Sequence, residues 1–201
     1  MNTVAISGEL RSELGKKHSK AARNEGKIPC VMYGGEQNIH FTVTPNDIKS
    51  MVYTADFKLA DVTVDGNTYK AILKSYTMHP VTDELTHIDF LQLVDGQPVK
   101  VDIPVRFKGE SPGVKLGGKL MQSLRRVTVK TLPEHLVDEL FLDVSELELG
   151  NAVRVREIEA PDTIQIMNDG AIPVAIVEVP RSLRSAASAA AKEDVATPAA
   201  E

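Results

Sequence analysis

Residues 15–35, GKKHSKAARNEGKIPCVMYGG, decide how the first half of this chain is read. The stretch opens as a helix over Lys16 to Glu25 and stops at Gly26, a residue suited to the left-handed position that follows a helix C-terminus. It then turns into a strand, IPCVMY (28–33), closed by Gly34-Gly35. From Leu10 to Lys27 the cations Arg11, Lys16, Lys17, Lys20, Arg23 and Lys27 face only Glu13 and Glu25. The segment therefore carries +4 inside a chain whose formal net charge is −5. Local fields, not totals, steer a polyanion.

On the helix, Lys16, Lys20, Arg23 and Lys27 follow i, i+4, i+7, i+11 spacing, which predicts one basic side. Leu14, His18, Ala21 and Ala22 take another side and are expected to pack inward. Such a basic face is either a solvated lysine surface or a stripe that tracks phosphates and releases counterions on binding.

Outward from this stretch the pattern is mostly strand. TVAISGEL (3–10) precedes it, and NIHFTV (38–43) follows with Ile39, Phe41 and Val43 alternating. Thr44-Pro45-Asn46-Asp47 announces a helix, with Thr44 as cap and Asp47 placed to reach back in a capping box. Ile48, Met51 and Val52 give it an apolar face. FKLADVTV (57–64) and NTYKAILKSYT (67–77) flank Asp65-Gly66, a hairpin signal. HPVTDE (79–84) reads as a loop and LTHIDFLQLV (85–94) as a strand.

Asp95-Gly96 begins a nearly all-strand half. VKVDIPVRF (99–107) and SLRRVTVKTL (123–132) are strands around a glycine-rich loop, 108–120, expected to be mobile. Pro133 to Leu136 reads as a helical turn, and ELFLDVSEL, NAVRVREI, TIQIM and IPVAIVEV as further short strands or turns. The Ala-rich tail from Arg181 has no apolar stripe and is expected to be disordered. The fold class is thus mainly β with some α. A helix-containing domain is expected over 1–94, a strand-rich domain over 95–180 and a disordered tail over 181–201. Aromatic residues are 4% and Trp is absent, so the core must be mostly aliphatic.

In LTHIDF, alternation puts Ile88 and Phe90 on one face and His87 and Asp89 on the other, their Cα atoms about 7 Å apart. A polar pair on a rigid strand can read base edges or a 2′-hydroxyl, or be a satisfied surface pair. Tyr33, beside bare glycine backbone, can stack on a base, hydrogen-bond through its hydroxyl, or be an ordinary half-buried tyrosine. A catalytic dyad lacks a nucleophile motif, and one His-x-Asp lacks the ligands a metal site needs. GVKLGGK (113–119) misses the P-loop spacing, because Leu120 follows Lys119. Cys30 is expected to be a small buried hydrophobe, and His40, His79 and His135 to be structural. A single cysteine, no apolar leader in residues 1–20 and no long apolar run favour a soluble cytoplasmic protein.

Taken in order, Arg11, GKKHSKAARNEGKIPCVMYGG and HPVTDELTHIDF resemble the bacterial large-subunit ribosomal protein twenty-five family, in its long two-domain form, called general stress protein CTC. The motifs cover about residues 3–93, and IPVRFKGESPGVKLGG is similar to the family's second domain. The resemblance implies that residues 1–94 form a small N-terminal β-barrel with two or three helices, related to a tRNA synthetase anticodon-binding domain and docked on the loop E region of 5S rRNA. It also implies a place in the large ribosomal subunit, with 23S rRNA and other ribosomal proteins as possible neighbours. Carried over residue by residue, the RNA-binding positions are Arg11, Lys16, Ser19, Lys20, Arg23, Tyr33, His87 and Asp89, with no catalytic residue, metal or cofactor. Lys20-Ala21 stands where many members have a second basic pair, and Ser75-Tyr76-Thr77 where the family often carries a glutamine. The rival functions are a free tRNA-binding module and a hydrolase using His87 and Asp89.

Overall fold

The structure is a computed structural model that describes residues 2–161 and 163–180. The expected disordered tail, 181–201, lies outside the described residues. The described chain falls into two compact units. The first takes in the chain up to Pro104 together with Thr128–Glu139. The second is built from Val105–Val127, Leu140–Pro161 and the last strand.

The first unit holds a closed six-stranded barrel: β1 (Thr3–Leu10), β2 (Ile28–Tyr33), β3 (Ile39–Val43), β4 (Leu59–Val64), β5 (Asn67–Met78) and β6 (Leu85–Gln92). The order around it is β1-β3-β2-β6-β5-β4. β1/β4 and β2/β6 are parallel, and the other neighbours antiparallel. Alternation fills the interior. Cys30 and Met32, Phe41, Ala60 and Val62, and Ile88 and Phe90 are all almost fully buried. The Phe41 and Phe90 rings meet with centroids 5.8 Å apart, the packed centre of an otherwise aliphatic core. Gly8 makes room for Phe41: a Cβ there would sit 2.6 Å from its ring. Asp65 and Gly66 take φ of 51° and 80°, as the expected two-residue hairpin requires.

Helix α1 (Lys16–Asn24) lies beside β2. It ends as the sequence predicts. Gly26 has φ 77°, its N–H donates to Arg23 O, and the Lys27 N–H donates to Ala22 O. This paired closure turns the chain sharply into β2. Two expectations fail here. Lys27 lies beyond the helix, its ammonium paired with Glu9, so the basic stripe stops at Arg23. Of the residues expected to pack inward, Leu14 precedes the helix and is 53% exposed, and Ala21 is exposed too. No residue of α1 is fully buried, because the helix lies on the barrel's outside.

Helix α2 (Pro45–Val52) buries Ile48, Met51 and Val52 in the barrel core, as predicted. The expected cap is different. Thr44 is extended and makes no side-chain cap bond, and Pro45 starts the first turn.

The remaining strands are β7 (Val99–Lys108), β8 (Lys119–Gln122), β9 (Arg126–Thr131), β10 (Leu140–Asp143), β11 (Ala152–Arg154), β12 (Gln165–Ile166) and β13 (Pro173–Glu178). They form a four-stranded sheet, β10-β7-β9-β12, and a three-stranded sheet, β11-β13-β8. The segment expected as a mobile loop is instead built in. Ser111 is buried and donates to Leu147 O, and α3 (Pro112–Lys115) makes one helical turn. Gly113 lies so close to the Glu148–Leu149 backbone that a Cβ would sit 2.8 Å from it. The glycines there serve close packing.

Candidate nucleic-acid interface

Register builds one outer wall from the sequence-predicted residues. Asp89 on β6 pairs across to Val31 on β2 and to Ser75 on β5. Val31 pairs with His40 on β3, and the Arg11 N–H donates to His40 O at 2.9 Å. Arg11, His40, Val31, Asp89 and Ser75 therefore form a row across five neighbouring chain segments. Below it, Glu9 pairs with Thr42 and Thr42 with Pro29, while His87 pairs with Thr77. Thr42 and Pro29 face outward yet are buried, as expected beneath α1. Tyr33 continues the outward face of β2 and pairs with Leu91.

Hydrogen bonds fix several of these groups. Asp89 holds two partners: its Oδ1 lies 2.9 Å from His87 Nδ1, and its Oδ2 accepts from Ser75 Oγ at 2.6 Å. With Nδ1 engaged, the half-exposed His87 ring offers Nε2 to a ligand. Strand β6 is irregular here: Thr77 pairs with His87 but Met78 with Leu85. The bulge turns the Thr86 carbonyl to Arg23, whose Nε donates to it at 2.9 Å. Arg23 is thereby tied from α1 to the strand next to His87. At the helix start, Arg11 donates to Ser19 Oγ at 3.2 Å and to Glu13 O at 3.4 Å. Lys16 and Lys20 are exposed along α1. Burial, then the nearby Asp89 carboxylate, pushes the Tyr33 hydroxyl above its ordinary pKa, so it stays protonated.

The structure thus brings Arg11, Ser19, Arg23, Tyr33, His87 and Asp89 to one side of the barrel, with Lys16 and Lys20 on the adjoining helix. The wall combines cations, a polar strand pair and an aromatic edge. That set suits a phosphate backbone together with exposed base edges. Among the described residues, no group of three or more His, Cys, Asp or Glu side chains could hold a metal ion, and no helix is long and apolar enough to cross a membrane.

Two family descriptions match the chain: the ribosomal L25p family over residues 6–90, and the C-terminal domain of ribosomal protein TL5 over residues 98–181. Proteins named large ribosomal subunit protein bL25 align along nearly the whole chain. The one from Cytophaga hutchinsonii is 41% identical over 96% of this chain and 100% of its own length. The chain belongs to the ribosomal L25p family. The relative from Porphyromonas gingivalis is 40% identical over 93% of this chain and 98% of its own, and that from Bacteroides fragilis 36% identical over 96% and 100%.

Two residues that the sequence pattern does not place on the wall join it in the structure. His40 stands between Arg11 and Val31 in the upper row. Ser75 donates to Asp89 and orients it. Strand alternation alone could have put His40 outside the barrel, because Phe41 is inside. Its neighbours required the register.

Proposed function

We propose that this chain is a non-enzymatic structural constituent of the large ribosomal subunit, in the cytoplasm, and that its barrel wall binds the loop E region of 5S rRNA. The carrying observation is the shared wall. Arg11 and Arg23, 12 positions apart in a +4 segment, are each hydrogen-bonded into place beside His87, Asp89 and Tyr33. Arg11, Lys16, Lys20 and Arg23 neutralise phosphates, while Ser19, Tyr33, His87 and Asp89 set register on bases and 2′-hydroxyls. A distorted internal loop fits such a wall, because regular A-form RNA hides its base edges in a narrow major groove. The large-subunit names of the aligned relatives support the placement. The 5S-binding domain is assigned to residues 1–94 and the second domain to 95–180, in line with the two family matches.

The test is to purify large subunits, ask whether the protein accompanies them, and footprint 5S rRNA with the wild-type chain and Arg11→Ala. Protection centred on loop E and lost in Arg11→Ala is expected. Retention of tRNA in place of 5S rRNA would overturn the assignment in favour of a tRNA-binding module.

A further inference from the structure

The barrel has two unlike ends. One is filled by α2, whose Ile48, Met51 and Val52 sit in the core. The other end is an open depression of about 860 Å³. Every barrel strand contributes a terminal residue to its lining: Leu10, Ile39, Val64, Asn67 and Gln92, with Gly34 just past the end of β2. Tyr69 adds an aromatic ring.

We infer that this mouth is a binding site for an unstacked RNA base, with adenine the best match. Three observations lead there. First, the lining is apolar at Leu10, Ile39 and Val64 and includes two primary-amide residues, Asn67 and Gln92. Primary amides are the groups that pair bidentately with the adenine edge, and a tyrosine supplies a stacking face. Second, the lining holds Glu36 and Asp65 and not one Lys or Arg. It therefore favours a neutral base over a phosphate. Third, the rim is continuous with the wall: Leu10 precedes Arg11, and Gly34 follows Tyr33. A nucleotide with its phosphate at Arg11 can place its base over the rim.

The two glycines at the end of the opening stretch keep the mouth clear. A Cβ at Gly35 would collide with the Gln92 amide, and one at Gly34, where φ is 102°, would sit 2.8 Å from a Leu91 methyl. The bare backbone leaves Gln92 free to lie along the rim. A barrel mouth of this size, part apolar with a few convergent polar groups, is a common ligand-site architecture.

This inference rests on the RNA-binding role proposed above, and the experiment separates the two. The isotope-labelled full chain is titrated with adenosine monophosphate, cytidine monophosphate, ribose 5-phosphate and N-acetyl-leucinamide. Adenosine monophosphate is expected to shift the side-chain amide signals of Asn67 and Gln92 and the backbone signals of Gly34 and Gly35 saturably. Ribose 5-phosphate and N-acetyl-leucinamide should leave them in place. Gln92→Ala is expected to weaken nucleotide binding about fivefold or more, the low end for one lost bidentate pair. Asn67→Ala, at the exposed start of β5, provides a second variant should Gln92→Ala fold poorly. No saturable shift with either nucleotide overturns the inference. So does an equal response to ribose 5-phosphate or the leucine amide, or unchanged nucleotide affinity in a folded Asn67→Ala protein. In the same samples Arg11→Ala is assayed against 5S rRNA. If it leaves 5S affinity unchanged while mononucleotides still bind the mouth, the wall assignment fails and the mouth stands. The converse result removes the mouth alone.

Discussion

Arg23→Ala separates charge from position on the proposed wall. The side chain spends its Nε on Thr86 O at 2.9 Å, 63 residues away in sequence. That bond holds the guanidinium against β6, one residue before His87, with its remaining N–H groups available to a phosphate. Removing one phosphate contact lowers the log–log salt slope of RNA affinity by about 0.7–0.9. Carried from about 1 M salt, where counterion release no longer contributes, down to about 0.1 M, that slope amounts to about a five- to eightfold loss of affinity. In free energy this is about 1 kcal/mol. Between about 50 and 200 mM salt the ratio of wild-type to variant affinity should shrink about threefold. Anisotropy titrations of labelled 5S rRNA at several salt concentrations read both quantities. Arg23→Lys supplies the contrast: it keeps the charge and the slope but loses the planar donor that Thr86 holds, so affinity falls at every salt concentration. His135→Ala, on an exposed turn, should leave both unchanged. A wild-type slope in Arg23→Ala, or a slope lost equally in Arg23→Lys, would refute the phosphate contact.

The interior offers further tests. Phe90→Ala removes a fully buried ring packed on Phe41 and should destabilise the protein by about 3–5 kcal/mol in urea unfolding; a cost below about 1 kcal/mol would contradict the packed centre. Gly8→Ala pushes a methyl group toward Phe41 and Val64 and should cost about 1–3 kcal/mol by the same measurement. Cys30 is buried and its thiol is pushed well above the ordinary pKa, chiefly by desolvation. A thiol reagent at mildly alkaline pH should label it at the rate of unfolding, and fast native labelling would exclude the observed burial. Hydrogen bonds from the Ser145 hydroxyl and backbone N–H hold the Asp143 carboxyl below its ordinary pKa. Its stabilising effect is present above the unfolded carboxylate pKa and is lost as pH falls through the lower folded value. Ser145→Ala should move the Asp143 titration upward in a carboxyl-detected NMR experiment, and an unmoved midpoint would refute that cause.

Where the sequence reading held, the cause is local. Alternation in LTHIDF put Ile88 and Phe90 inside with His87 and Asp89 outside, because side chains on a strand alternate whatever the strand pairs with. Gly26 ended α1 and Asp65-Gly66 made a hairpin because both need backbone angles that neighbours in sequence already specify. Where it failed, the cause is contact at a distance. Residues 108–120 looked loose by composition, yet Ser111 and Gly113 are fixed by Leu147, Glu148 and Leu149. Lys27 has the right spacing for the basic stripe, but the closure that turns the chain into β2 sends it to Glu9.

By itself the sequence determined the strands, two principal helices, the apolar face of α2 and the concentration of positive charge between Leu10 and Lys27, since each depends on residues a few positions apart. Only the tertiary structure decided that β2 runs parallel to β6 and β1 to β4, pairings that no turn signal encodes. Those pairings put Val31 beside Asp89 and so gather Arg11, His40, Tyr33 and His87 on one wall. They also bring the ends of all six strands around an open mouth. Backbone hydrogen bonds between strands distant in sequence carry no local signature, so a surface assembled from them becomes visible only once the barrel has closed.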